Sequence, residues 1–258
     1  MPLPDLTRSD LDHALRSVGV QPGDGLLVHS ALQLLGSPAG GLQMVCDAIL
    51  ELIGPEGTLV VPTFPFAFSR GADYDPQTTP SQSMGAFSEF VRQLPKAQRT
   101  LHPMQSLAIV GKHAVDLAQR DTPSAFDDGS AFDHMLQLGF KLLLLGADIQ
   151  AASIAHYSEQ RAQVPYRYWK DFTGRIKVGD SWDSKTYRMF ARDLDLDPQL
   201  RLTPIQRALE AGGHWHATHL NFGDVACCTL SAFVLATDAI LAADPWALVA
   251  NRPQQAGR

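Results

Sequence analysis

The chain has 258 residues, 45% of them hydrophobic, and its 27 Asp and Glu against 21 Lys and Arg leave a formal charge of −6. That length supports one substantial core, a single domain over 1–258, and the acidic balance without any long Lys or Arg run argues against a nucleic-acid partner and suits a cationic small molecule better. No apolar run approaches the ~18 residues of a membrane span, and Met1 to Asp5 places no basic segment before an apolar one, so a cytoplasmic protein without a membrane partner is expected.

Thr7 to Asp10 is a plausible helix start, followed by Leu11, Leu15 and Val18 at helical spacing. Leu26 to Val28 reads as a buried strand ending at His29-Ser30-Ala31-Leu32. Leu42, Val45, Ile49 and Leu52 form a helical stripe that Gly54-Pro55-Glu56-Gly57 stops, and Thr58 to Thr63 is the next strand. This order, with Gly-rich joints, predicts an α/β layered sandwich: a central mixed sheet flanked by helices. Gly71 to Ser83 is a long polar loop, and helix resumes from Gly85 to Leu94. Leu107 to Gly111 and Leu142 to Leu145 are further strands. Tyr166 to Met189 mixes aromatics with Lys and Arg around Gly174 and Gly179-Asp180, which predicts hairpins, a small β-rich insertion. Leu202 to Leu209 and Thr229 to Leu241 read as helices.

Several segments carry chemistry. Leu142 to Leu145, closed by Gly146, is a strand buried on both faces, so the Ser153 to Glu159 segment beyond it lies where α/β sheets keep their ligand crevice. If that segment is helical, Ser153, His156 and Glu159 share one face, giving a base with hydroxyl and carboxylate neighbours; the alternative is a hydrogen-bonded structural histidine. Ser30 to Leu32, with Gly36 and Gly40-Gly41 after it, offers backbone amides to an anion, or is simply a turn that needs glycine. Pro103 holds His102 extended on the loop from Arg99 to Ser106, where Ser106 could donate to a carbonyl or phosphate oxygen. Asp75 and Glu89 put carboxylates on the long loop and the helix behind it. They attract an ammonium group if they face a cleft and merely solvate the loop if they do not.

Two further clusters invite other readings. His214, His216 and His219 sit close together, yet their spacing has no nearby Cys or Glu to make a familiar zinc pattern, so no metal is expected. Cys46, Cys227 and Cys228 form no paired framework and are expected reduced and buried.

Taken together, these segments resemble the aminoglycoside 3-N-acetyltransferase family, also called the antibiotic N-acetyltransferase family. In family order the carrying residues are Val28 to Leu32 with Leu35-Gly36 and Gly40-Gly41; Gly54 to Val60 with Pro62-Thr63; Asp75-Pro76 with Thr79-Pro80; Met84-Gly85-Ala86; His102-Pro103 with Ser106; Leu143 to Gly146; and Ser153, His156 and Glu159. The resemblance implies direct acetyl transfer from acetyl-CoA, as co-substrate, to a primary amine of an aminoglycoside, another amino sugar or a biosynthetic intermediate. It implies that His156 is the general base, that Ser153 and Glu159 orient it or bind the amine, and that Asp75 and Glu89 are amine-side contacts. Cofactor contacts are implied at Ser30, Ala31, Leu32, Gly36, Arg99, His102 and Ser106, and a homodimer is compatible with it.

The chain departs from the family pattern at Ala31 and Ser153, where serine and threonine are usual, and at Gln105, where many members have a second histidine. A carboxylate that many antibiotic-acetylating members carry near the C-terminal helix falls on Gln206. Val164 to Gly174 is more similar to members found in biosynthetic settings, and its basic residues favour a less cationic acceptor. Three other readings compete: a thiol-dependent acyltransferase using Cys227 or Cys228, a metal hydrolase built on the three histidines, and a non-catalytic CoA- or amine-binding protein.

Overall fold

The computed structural model describes residues 3–252. Its first half runs β1 (Asp5–Leu6), α1 (Arg8–Ser17), β2 (Gly25–Ser30), β3 (Ser37–Pro38), α2 (Gly41–Ile53), β4 (Thr58–Pro62), α3 (Ala86–Arg92), β5 (Gln98–Arg99) and β6 (Leu107–Gly111). It continues with α4 (Ala114–Ala118), α5 (Ala131–Gln137), β7 (Lys141–Leu145), α6 (Ala155–Ala162), β8 (Arg167–Val178), β9 (Ser181–Arg192), α7 (Thr203–Ala211), β10 (His216–Leu220), β11 (Gly223–Thr229) and α8 (Leu230–Ala243).

Seven strands form one mixed sheet in the order β10-β11-β7-β2-β4-β6-β5. β2 runs parallel to β7 on one side and β4 on the other; the remaining pairs are antiparallel. Because side chains alternate across a strand, each central strand feeds two cores. Leu26 and Val28, Leu143 and Leu145, and Val225 and Cys227 face α1, α2 and α3, whereas Leu27, Leu142, Leu144, Ala226 and Cys228 face α5 to α8. Burial on both faces explains why β2, β4 and β7 read as unbroken apolar runs in the sequence. It is also the main stabilising term, roughly 1.5–3 kcal/mol for each large apolar side chain withdrawn from water.

The same alternation positions chemistry. His29 has the parity of Leu27 and therefore emerges on the α6 side of the sheet, at the end of β2. Beside it, β7 ends at Gly146, whose φ of +69° is left-handed, and a β-carbon there would lie 2.7 Å from the Ala31 carbonyl oxygen. Only glycine lets the two strand ends approach this closely.

β8 and β9 form a separate two-stranded hairpin paired along its whole length. A small apolar cluster of Phe68, Tyr74, Met104, Ile176 and Tyr187 seats it, and Tyr74 exchanges backbone hydrogen bonds of 2.9 Å with Arg175 and Lys177. Strands β10 and β11 are where the structure departs from expectation. Half-buried Thr218 and Leu220 alternate with exposed Ala217 and His219 on a sheet edge, and the Cys227-Cys228 run is a strand pairing with β7. The short helices α4 and α5 have too few turns to show a helical period in the sequence. Ser153 also lies ahead of α6 rather than within it, joined by its carbonyl accepting from His156 N at 3.1 Å. Among the described residues no helix is long and apolar enough to cross a membrane.

Candidate active site

A cavity of about 510 Å³ opens at the carboxyl ends of β2 and β7, under the base of the hairpin. Ser30, Ala31 and His29 line it from β2 and its turn, Ser153 from the approach to α6, His156 from the first turn of α6, Gln105 from the loop before β6, and Arg167 from the start of β8. Phe64, Phe126, Met84, Met189 and Phe190 supply apolar wall. Parallel strands ending side by side leave such a crevice at the switch in chain direction.

His156 is held from behind. Its Nδ1 lies 2.6 Å from Glu159 Oε2, one helical turn on, and the Glu159 side chain is fully buried. Two acceptors do not approach that closely, so Nδ1 carries a proton donated to the carboxylate, and Nε2 is left as the basic nitrogen. The Arg167 guanidinium meets the same oxygen at 3.0 Å and lies 3.1 Å from the imidazole nitrogen. Burial alone would raise the Glu159 carboxyl, but its hydrogen bonds and attraction to His156 and Arg167 outweigh that and hold it below the ordinary carboxylate range. The other carboxylate oxygen, Oε1, and the Tyr166 hydroxyl are both buried without a hydrogen-bond partner among the described residues. Burial and the nearby Glu159 charge push the Tyr166 hydroxyl upward.

His29 is 6% exposed and reaches Ser153, with Nε2 3.2 Å from its hydroxyl and 3.4 Å from its backbone nitrogen. Burial, helped by the charge of His156, lowers His29 to about 4, so it is neutral when His156 works.

The structure separates the remaining candidates. Ser30 and Ala31 line the cavity, whereas Leu32 is buried behind them and Gly36, at φ +108°, packs on the Pro4 carbonyl. Arg99, expected at the cofactor, does not line the His156 cavity. Its guanidinium donates to the carbonyls of Thr63, Pro76 and Thr79 and to the hydroxyls of Thr63 and Ser106, strapping the long loop to the sheet. Ser106 is fully buried and donates to the Thr63 carbonyl at 2.9 Å. His102 accepts from Gln105 N at 3.2 Å, and burial holds it at about 4; it positions the loop that brings Gln105 to the cavity.

Asp75 and Glu89 do not join His156. Asp75 is paired with Lys177 at 3.3 Å and lines a second cavity of about 580 Å³ with Arg92 and Arg99. Glu89 is bound by Arg92 at 2.6 Å and by Ser81, which lowers it to about 2. Gln206 bonds Glu210 at 2.8 Å, and the carboxylate on His156 comes from Glu159 instead.

Among the described residues no three His, Cys, Asp or Glu converge as a metal cluster. His219 pairs with Asp224 at 2.9 Å, and both are exposed. The thiols of Cys46 and Cys227 are pushed up to about 11 and about 12 by burial, and that of Cys228 higher still.

Three site residues escape a reading of the sequence. His29 stands within a quoted motif, but strand parity does not reveal which face will be the crevice. Arg167 and Phe126 come from segments far from His156, and no local pattern couples them to it.

A histidine backed by a buried carboxylate in a cavity wall is a general-base arrangement. The profile described as Aminoglycoside 3-N-acetyltransferase matches residues 27–242, and the chain belongs to this family. It is 32% identical over 181 residues to aminoglycoside N(3)-acetyltransferase III of Salmonella sp, a match covering 63% of this chain and 63% of that enzyme. The alignment thus spans somewhat less than two thirds of that relative's length. Among solved structures, aminoglycoside acetyltransferase AAC(3)-Xa superposes with a TM-score of 0.82 at 26% identity, covering 92% of this chain and 93% of that one. The binary complex of AAC-IIIb with CoASH shares the fold at a TM-score of 0.81 and 19% identity, over 97% and 100% of the two chains.

Proposed function

We propose that this protein is an N-acetyltransferase that moves an acetyl group from acetyl-CoA directly to a primary amine, with His156 as general base. The observation that carries this reading is the 2.6 Å contact of His156 Nδ1 with buried Glu159, which leaves Nε2 basic in the wall of a cavity large enough for reacting groups. The names of the relatives support the reaction, and the CoASH complex of a structural neighbour supports the donor.

The chemistry follows from the charges. An amine is mostly protonated near neutral pH, and attack requires its lone pair. Neutral amine nitrogen bonds to the thioester carbonyl carbon while His156 Nε2 takes its proton. The C–S bond then breaks, and the imidazolium returns that proton to the departing sulfur, giving the N-acetyl amine and free CoA thiol. Glu159 holds the imidazole in the correct tautomer and stabilises the imidazolium. Ser30 and Ala31 are the candidate cofactor contacts that lie at the cavity, and Ser153 supports the turn before His156.

The acceptor is a weakly cationic amine. None of the residues lining the cavity is Asp or Glu, and Phe64, Phe66, Phe126 and Phe190 give it aromatic walls. A polycation buried there would lack the carboxylates that make such burial favourable. Of the hairpin's basic residues only Arg167 lines the cavity, where it pairs with Glu159 at 3.0 Å; Arg175 and Arg188 lie outside it, paired with Asp73 at 3.4 Å and Asp171 at 3.1 Å.

The test is thiol release from acetyl-CoA across aminoglycosides, amino sugars and simple monoamines, for the wild type and His156→Ala. Acceptor-dependent release that falls by roughly 10²-fold or more in the variant is expected. CoA binding without turnover for any acceptor would favour a binding protein, and efficient acetylation of polycationic aminoglycosides above all monoamines would overturn the acceptor assignment.

A further inference from the structure

We infer that His29 is a second catalytic residue, whose Nδ1–H donates a hydrogen bond to the thioester carbonyl oxygen and to the oxyanion that forms on it. The inference rests on the acetyl-transfer reading above.

The tautomer is decided by Ser153. A backbone N–H can only donate, and Ser153 N points at His29 Nε2 at 3.4 Å, so that nitrogen is the acceptor and Nδ1 carries the hydrogen. The Ser153 hydroxyl, 3.2 Å from the same nitrogen, fits the same assignment as a donor. Among the described residues Nδ1 has no hydrogen-bond partner. It is also absent from the sealed, unpaired groups, which include Nε2 of His102. His29 lines the cavity shared with His156, and the inferred role places its free N–H on that side.

The two histidines are thereby given different work. His156 is oriented by a carboxylate and accepts a proton. His29 is oriented by donors and buried away from counter-charges, so it stays neutral and presents a single fixed N–H. As the amine nitrogen bonds to the carbonyl carbon, the C=O π electrons move onto oxygen, and a donor already aimed at that position stabilises the negative charge without reorganisation. When the tetrahedral centre collapses, those electrons return to the C=O bond and the sulfur leaves with the C–S pair. His29 gains and loses no proton in the cycle.

The test compares His29→Leu and His29→Asn with the wild type and His156→Ala, using acetyl-CoA and the best amine from the panel. Removing one such donor costs about 10²–10³-fold in turnover. The expected result is a kcat drop of that order for His29→Leu, with KM for acetyl-CoA and the shape of the kcat pH profile unchanged. His29→Asn, which keeps an amide donor near the Nδ1 position, recovers part of the loss. A His29→Leu enzyme with wild-type kcat overturns the role, as does a shifted pH profile, which would place His29 on the base instead. If His29→Leu fails to fold, His29→Asn decides: turnover well above that of His156→Ala supports the donor, and turnover as low as His156→Ala overturns it. A wild type that turns over no amine overturns the underlying transfer reading, and this role with it.

Discussion

His156 and Arg167, 11 residues apart in the chain, converge on a single oxygen of Glu159, at 2.6 and 3.0 Å respectively. The helix brings His156 and Glu159 together by its own geometry, since positions three apart share a face. Arg167 arrives only because the chain turns after α6, at Gln163 with φ +48°, and enters β8 alongside it.

Glu159→Gln removes the charge that orients and stabilises the imidazolium while keeping the side-chain shape. Turnover is expected to fall by on the order of 10²-fold or more, with the circular dichroism spectrum unchanged. Steady-state kinetics on the purified variant check it; wild-type turnover would mean that Glu159 does not act on the base.

Arg167→Ala leaves the buried Glu159 carboxylate facing only His156. Breaking a buried pair by removing one partner costs about 3–5 kcal/mol, and here the two side chains are 8% and 0% exposed. A lowered urea midpoint at pH 8 is the expected readout. The Arg167→Ala, Glu159→Gln double variant should lose less stability than the sum of the two single variants, because no unpaired charge remains.

Acid should weaken the fold in two stages. His29 and His102 are each lowered from 6.5 to about 4, so the unfolded chain binds more protons than the folded one between those values. Their contribution is complete above about pH 6.5 and is lost as pH falls toward 4. Glu89, lowered from 4.5 to about 2, acts in the next window down, and Glu159 shifts in the same direction. Urea midpoints measured from pH 8 to pH 3 should be level at the alkaline end and decline below about 6.5; His102→Gln should flatten the first stage while leaving the second.

Cys227 and Cys228 have no accessible thiolate at neutral pH, because burial in β11 pushes both thiols far upward. Replacing both with Ala should leave turnover intact, and a thiol reagent should label neither in the folded protein until denaturant is added. Activity lost in a variant that retains its fold would restore an acyl-enzyme route.

Gly146→Val should be the most damaging single change away from the reacting groups. A β-branched residue is poorly suited to φ +69°, and its β-carbon would press on the Ala31 carbonyl at 2.7 Å, prising apart the ends of β2 and β7 where the site is built. Low soluble yield or a strongly reduced melting temperature is expected.

Local chemistry was enough for the layered α/β architecture. Continuous apolar runs at Leu26 to Val28, Thr58 to Val61 and Leu142 to Leu145 declare strands buried on both faces, and three-residue spacing puts His156 and Glu159 on one helical face before any coordinates exist. Motif order was likewise enough for the family. What needed the tertiary structure was every contact made across long sequence separations. His29 meets Ser153 over 124 positions, and the pairing rests on β2 and β7 lying parallel, which no local period encodes. Arg99 and Ser106 are of the right types for a ligand, yet folding packs them against Thr63 and the long loop, where buried donors must be satisfied by protein carbonyls. Asp75 and Glu89 were drawn away in the same manner, to Lys177 and Arg92, because a nearby cation stabilises a carboxylate wherever the fold happens to place one. Residue type and local spacing therefore identify groups capable of chemistry, while strand order and burial decide which of them face the same space.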